Sequence, residues 1–573
     1  MTISLHSRTS SSGTLAVLWS VCAMLHATTG HAQPAQSFAR IDSIFARYDS
    51  TTTPGCGVAV LRGDSVVLRK TYGMAHIGFG VPMSSATTTW IPYSEARVFT
   101  ALAAAMLARD GAISLDDPVR RHVPELPAYA GAVTVRHLVH HTSGLADYGV
   151  LYPGFDLSDR MSEDEFFRVL TRWGKLSFAP GSDHVYSNTD YALLKILVER
   201  VAHLSLDDYL QNKLLQPLGM RGTRIGFDQS LAVPNHALFH EPVAGGGWRS
   251  VHRYRISPVG GISVTTSLDD LVRWARAVRD TTSGIPALLR SLQDGALESQ
   301  RAEGFSFGVY RGSHRGRAFE AHRGVGHYLY LTRGLEADIS VVTLCNAYGG
   351  MDLFGPAVLA YVAPASYTAA ATAATTAPLP TRSVAVGELR RYAGEYVLLD
   401  GTPAGVRFHV PDSVLVMTLP NGQSVRTRAL GGGQFELATG PGATALLTFA
   451  PSDSTPGGTI MTGVDAATGE PAGPALRRRV ATSPPHAALR AYAGTYVGGD
   501  VDATLLVAVN GSRATIASRG MAAVELRPES DDGVFRMAGY VVRFERDRAG
   551  RVTHLVLDHP RVKGMRYTRR PGR

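Results

Sequence analysis

Lysine is nearly absent from this sequence. Of 57 basic residues only five are lysine, at positions 70, 175, 195, 213 and 563, and the remaining 52 are arginine. Several catalytic signatures are missing as well. There is no H-E-x-x-H zinc-protease helix, and the lack of any G-x-S-x-G argues against the nucleophile elbow of α/β-hydrolases. The triplets Gly245-Gly246-Gly247 and Gly431-Gly432-Gly433 lack the G-K-[ST] of a phosphate loop and read as turns. His137, His140 and His141 have helix-face spacing but no carboxylate or cysteine companion suitably placed for zinc. The formal net charge is +9, yet the basic residues are scattered, apart from Arg477-Arg478-Arg479 and the tail after Arg561. No nucleic-acid partner is expected from such a surface. The apolar run Leu15–Leu25 falls short of the about 20 residues that span a bilayer, and no later stretch is long enough.

That run fits a secretory leader over residues 1–32. Arg8 supplies positive charge ahead of it, and Gly30-His31-Ala32 places small residues at the cleavage-determining positions. Trp19, not leucine, stands three residues before Cys22, which argues against a lipoprotein anchor. The expectation is an exported protein, periplasmic or extracellular, without stable membrane insertion. Cys56 and Cys345 would then sit in an oxidising compartment.

With 45% hydrophobic and 18% charged residues, the chain has the composition of a folded protein of several domains. Phe38, Ile41, Ile44, Phe45 and Tyr48 recur at helical spacing. Two β-rich runs, Gly57–Leu61 and Ser65–Lys70, follow across the turn Arg62-Gly63-Asp64. Val98–Ala108 is apolar nearly all round and predicts a buried helix that ends before Gly111. Further helices are expected at Val133–Val139, Ser162–Trp173, Tyr191–Val201 and, capped by Ser267, at Leu271–Val278. Strand-like runs Ala318–His322, His327–Thr332 and Ala337–Cys345 precede a last helix, Leu353–Val362. Helices flanked by strand groups imply one mixed α/β domain, assigned to residues 33–363.

Residues 364–386 turn to Ala, Thr and Pro, the composition of a linker. Beyond lies a repeat: Leu389-Arg390-Arg391-Tyr392-Ala393-Gly394-Glu395-Tyr396-Val397 recurs as Leu489-Arg490-Ala491-Tyr492-Ala493-Gly494-Thr495-Tyr496-Val497. Each copy is followed by short alternating strands such as Ser413–Leu419 and Gly539–Phe544. Two small all-β barrel or sandwich modules are expected, at residues 387–480 and 487–573. Their paired tyrosines would pack the interiors.

Three motifs stand in fixed order: Ser94-Glu95-Ala96-Arg97, Tyr186-Ser187-Asn188 and His322-Arg323-Gly324. The i, i+3 spacing in the first puts Ser94 and residue 97 on one helix face, as a nucleophile and its proton partner require. With Thr89–Ala101, Thr134–Leu138, His141–Leu145, Phe178–Gly181 and Gly260-Gly261-Ile262, these motifs resemble serine β-lactamases and penicillin-binding proteins. Within that family they resemble the group of class C β-lactamases, D-alanyl-D-alanine carboxypeptidases and esterases, over about residues 36–363. The tandem repeats resemble small β-barrels appended to members of that family. The fold so implied is a β-lactamase/transpeptidase-like domain with an antiparallel sheet and a helical cluster.

The resemblance makes Ser94 the acylated nucleophile and Tyr186 the general base and acid. Asn188 becomes a substrate-binding amide and His322 the basic residue of the third motif, beside Gly324. Backbone N–H groups of Ser94 and Val325 would form the oxyanion hole. It also places Cys56 and Cys345 on neighbouring antiparallel strands, where they could bridge. No metal, nucleotide or other cofactor is implied, and the substrate would be a small ester, amide or D-amino-acid peptide.

Arg97 departs from the pattern, which has lysine there. A guanidinium stays protonated and cannot accept the Ser94 proton, whereas a buried lysine can. Arg97 would serve as a fixed cation favouring the Tyr186 phenolate, with its bulk impairing turnover. The alternative is a catalytically inactive homologue that binds peptide or cell-wall fragments. Oligomeric state is not legible in the sequence.

Overall fold

The computed structural model describes residues 36–571, apart from 92–95, 152–160, 227–231, 244–245, 252–262, 295, 298–304, 315–316, 323–328, 335–337, 348–353, 363–382, 399–402, 419–423, 441–442, 452–458, 466–474, 479–485, 502, 519–520, 529–532 and 538. The expected leader, the expected linker up to residue 382, Ser94, Gly324 and Val325 therefore lie outside the described residues.

The expected hairpin forms as strands Cys56–Arg62 and Ser65–Tyr72, with Gly63 at φ +58° in the turn, where side-chain-bearing residues are strained. It joins a seven-stranded antiparallel sheet. The order is Phe305–Ser306, Val309–His314, Arg317–His322, Leu329–Gly334, Ile339–Cys345, Cys56–Arg62, Ser65–Tyr72. The first strand of the domain thus sits beside its last. Every residue of Ile339–Cys345 is buried, because Phe354–Val362 and Leu268–Ala277 both pack against it. The register sets Cys56 directly opposite Cys345, and the two are joined by a disulfide.

Helix Arg97–Arg109 is buried from Arg97 through Leu107, the all-round apolar pattern expected for the middle of a helical cluster. Around it pack Asn188–Ala202, Leu206–Leu210 and Ile285–Gln293. Most boundaries fall within two residues of expectation. Glu163–Trp173 is capped by Ser162 and ends at Gly174 with φ +74°, and Leu268–Ala277 is capped by Ser267. Two helices start three residues earlier than expected: Leu268, not Leu271, opens the one capped by Ser267, and Asn188, not Tyr191, opens the other. The N-cap Ser187 stands just before it, so the polar Asn188-Thr189-Asp190 stretch forms its first turn.

Each repeat copy opens with a short helix, Val386–Tyr392 or His486–Arg490, and continues into an eight-stranded antiparallel closed barrel with strands in sequential order. Closure removes the sheet edges that isolated modules of this size would expose. Tyr396 and Tyr496 are fully buried and donate their hydroxyls to the carbonyls of Tyr392 and Tyr492. Phe408, Phe435 and Phe449 fill the first interior, and Phe535 and Phe544 the second, in edge-to-face pairs. The second barrel also meets the α/β domain. Ala146, Val150, Leu151 and Trp173 share its core cluster, and Arg172 Nε donates to the Gly499 carbonyl. No helix among the described residues is long and apolar enough to cross a membrane.

Candidate active site

The site is built where the start of the buried helix meets the loop before Asn188. That loop is pinned by backbone hydrogen bonds from Ser177 to Gly144, Gly181 to Thr142 and Val185 to His141. Gly144 has φ +73°, and a side-chain carbon there would fall 2.2 Å from the Phe178 carbonyl oxygen, so only glycine lets the two strands of the loop approach. Tyr186 is thereby delivered half-buried against Arg97, three residues after Ser94.

Arg97 is fully buried. Its Nη2 donates to Asn188 Oδ1 at 2.7 Å, and its guanidinium lies 4.5 Å from the ring centre of Tyr186 and 4.6 Å from that of Tyr191. Stacking on two aromatic faces is available to a planar, weakly hydrated guanidinium and offsets part of its desolvation. Arg97 Nε and Nη1 have no hydrogen-bond partner among the described residues. The substitution is therefore accommodated by repartnering to Asn188, and the side chain is not expelled to solvent.

Asn188 is engaged at both ends. Its Nδ2 donates to both carboxylate oxygens of Asp147, at 3.2 and 3.0 Å, and its backbone N–H donates to Asp147 Oδ2. Asp147 is fully buried and also takes the Gly149 N–H. Its remaining cationic partner comes from 414 residues away: Arg561 Nη1 donates to Asp147 Oδ2 at 3.0 Å. The Arg561 guanidinium lies 4.5 Å from the Tyr186 ring. Sequence reading missed both residues. Asp147 lies just past the His141–Leu145 block, a signal that could have drawn attention to it. Arg561 was noted only as the start of a basic tail.

Behind Tyr186 lies a second buried pair. His141, at φ +56°, stacks 4.7 Å from Tyr186, and its Nδ1 lies 3.0 Å from Asp190 Oδ2. Ser143 Oγ donates to Asp190 Oδ1, and the Ser187 N–H points at His141 Nδ1. Burial pushes the His141 ring well below the usual imidazole range, helped by the Arg97 charge. Burial pushes the Asp190 carboxyl well up, outweighing the Ser143 bond and Arg97. The Ser187 N–H makes Nδ1 the acceptor side of the ring. Of the histidines singled out in the sequence, His137 instead closes a capping box with Thr134.

His322 ends the strand Arg317–His322, pairs with Val309 and Leu331, and is buried. Trp274 Nε1 donates to its Nδ1 at 3.2 Å, which leaves the ring proton on Nε2, 3.9 Å from Glu320 Oε1. Burial alone would raise the Glu320 carboxyl, but His322 and Arg311 outweigh it and hold it at about 2. Trp274 stacks 4.8 Å from Phe99, and a side-chain carbon at Gly308 would lie 3.4 Å from Arg97 Cβ. The strand pair bearing His322 thus abuts the first turn of the Arg97 helix.

These positions meet known proteins in order. A family model described as Beta-lactamase matches residues 41–362, more than half of the 573-residue chain. Esterase EstB of Burkholderia gladioli is 30% identical over 388 residues, covering 59% of this chain and 97% of the esterase. D-aminopeptidase of Gluconobacter oxydans (strain 621H) is 25% identical over 330 residues, 56% of this chain and 61% of that protein. Penicillin-binding protein 4* of Bacillus subtilis (strain 168) is 31% identical over 170 residues, 29% of this chain and 37% of that protein. The chain thus spans less than two thirds of the length of the last two. The solved octameric penicillin-binding protein homologue from Pyrococcus abyssi has 20% identity and a TM-score of 0.47, covering 77% of this chain and 99% of that one. The chain belongs to the beta-lactamase family.

Proposed function

We propose that this chain is an exported serine hydrolase that forms an acyl-enzyme on Ser94 with a small ester, amide or D-amino-acid peptide. Tyr186, as phenolate, takes the Ser94 proton while the Ser94 oxygen attacks the carbonyl carbon. The proton then passes to the departing alcohol or amine, and water releases the acyl group by the reverse relay. Arg97 supplies a fixed positive charge at the phenolate and accepts no proton. Asn188, itself held by Asp147, keeps Arg97 in place. Gly324 and Val325 follow His322 at the substrate strand, with the Val325 N–H and that of Ser94 as oxyanion donors.

The observation that carries this reading is the stack of Arg97 on Tyr186, tied by Asn188, at the base of the helix that Ser94 precedes. The relatives named esterase and D-aminopeptidase support the choice of substrate. Turnover is impaired relative to a lysine-bearing site, because the only basic group three residues from Ser94 cannot shuttle a proton. The same reading assigns residues 1–32 to a cleaved leader, 33–363 to the hydrolase, 364–386 to a linker, and 387–480 and 487–573 to the barrels. Intact-mass spectrometry after exposure to a fluorophosphonate, a fluorescent penicillin and a panel of activated esters tests it. The expected result is a single adduct, lost in Ser94→Ala. An adduct that survives that substitution removes Ser94 from the mechanism. A protein that forms none with any probe fits instead the inactive, peptide-binding homologue, which the non-titrating Arg97 favours.

A further inference from the structure

We infer that the second barrel completes the substrate pocket, and that Arg561 at its hairpin tip is a specificity-determining residue that binds a substrate carboxylate. The inference rests on the Ser94–Tyr186 reading only for where the substrate sits.

Pro560 and Arg561 form the two-residue turn between strands Val552–His559 and Val562–Arg569, closed by the His559–Val562 pair. The Arg561 N–H donates to His559 Nδ1, and the His559 ring stacks on Tyr540, so the tip has little freedom. The apolar seam of Ala146, Val150, Leu151 and Trp173 against the barrel core fixes the hairpin next to Asp147. One guanidinium nitrogen, Nη1, is taken by the fully buried Asp147 carboxylate. The side chain keeps 31% of its exposure, and its Nε and Nη2 make no side-chain hydrogen bond among the described residues. It therefore stands over Tyr186 with donors to spare.

The local charge favours an anion. Two guanidinium groups, Arg97 and Arg561, flank Tyr186 against the single carboxylate of Asp147. Burial disfavours the charged forms of both Asp190 and His141. Two nitrogens of the buried Arg97, Nε and Nη1, also lack partners among the described residues. A carboxylate arriving at Tyr186 would be met by a planar donor fork already oriented by Asp147, the geometry that suits guanidinium–carboxylate recognition. Preorganisation by the barrel keeps the arginine from losing side-chain freedom when substrate binds.

Calorimetry on the full-length Ser94→Ala protein, with hippurate and its neutral amide hippuramide as probes, tests this apart from turnover. Hippurate is expected to bind on the order of tenfold more tightly than hippuramide, the scale of one charge-assisted hydrogen bond. In Ser94→Ala/Arg561→Ala the preference should disappear while hippuramide affinity holds, and Arg561→Lys should restore part of it. Equal affinities in Ser94→Ala, binding of neither probe, a preference that survives Arg561→Ala, or a parallel loss of both ligands would each overturn the assignment. Fluorophosphonate labelling of the Ser94-containing protein is read separately. If it fails, the acyl-enzyme reading falls while the carboxylate measurement stands on its own.

Discussion

Replacing Arg97 by lysine should increase ester hydrolysis, and the size of the gain can be bounded from the contacts. Arginine loses one charge-assisted bond to Asn188, a loss of about 1.5–3 kcal/mol. Its two aromatic contacts, about 1 kcal/mol each, are kept in part by an ammonium. Against this, Nε and Nη1 are buried without partners among the described residues, and removing such groups recovers about 1–3 kcal/mol apiece. On these figures Arg97→Lys should be no more than about 2 kcal/mol less stable than the parent. What it adds is an amine that can release and accept a proton beside Ser94. Positioned general bases contribute about 10²–10⁴ in rate, and imperfect placement leaves an expected gain in kcat/KM of about ten- to a hundredfold. Arg97→Met is the control: it leaves the Asn188 oxygen unpartnered and removes the charge, so activity should fall below the parent. Nitrophenyl ester hydrolysis with denaturant melts on all three proteins decides the matter. If lysine gives no gain, or methionine equals lysine, the account of Arg97 as an electrostatic stand-in is wrong.

Tyr186→Phe keeps a ring between the two guanidinium groups but removes the acid–base oxygen. Hydrolysis should fall by about 10²–10⁴ with an unchanged melting temperature, and near-normal rates would dismiss Tyr186 as the proton carrier. Reducing or replacing Cys56, whose bridge to Cys345 closes a loop across 289 positions, should destabilise the α/β domain by about 2–5 kcal/mol. A melting curve indifferent to dithiothreitol would contradict this. Acid stability should carry the mark of Glu320. Its folded value near 2 lies below the ordinary 4.5, so its contribution is complete above pH 4.5 and is lost as pH falls toward 2. Glu320→Gln should flatten that limb relative to the parent. His141, held below 6.5, likewise costs stability as pH falls from 6.5 downward, and it should do so equally in both proteins.

Local chemistry was the legible part of this chain. The hairpin at Gly63, the capped helices after Ser162 and Ser267, and the all-apolar helix after Arg97 follow from periodicity and end signals, which act over a few residues. The repeated Leu-Arg-x-Tyr-Ala-Gly segment announced two like modules, and two closed barrels stand there. The order of the three motifs placed Tyr186 and Asn188 beside residue 97. Long-range partners were legible only where the family resemblance supplied them, as for Cys56 and Cys345, since nothing near them in the chain specifies who meets whom. Cys56 faces Cys345 because the first and last sheet strands of the domain are neighbours. Arg97 could be read as a missing base, but only packing revealed that Asn188, Tyr186 and Tyr191 share the job of holding it. Arg561 had no signal beyond its charge. It became part of the site when a barrel hairpin was seated on an apolar seam beside Asp147, where burying that carboxylate requires a cation from whichever element can reach it.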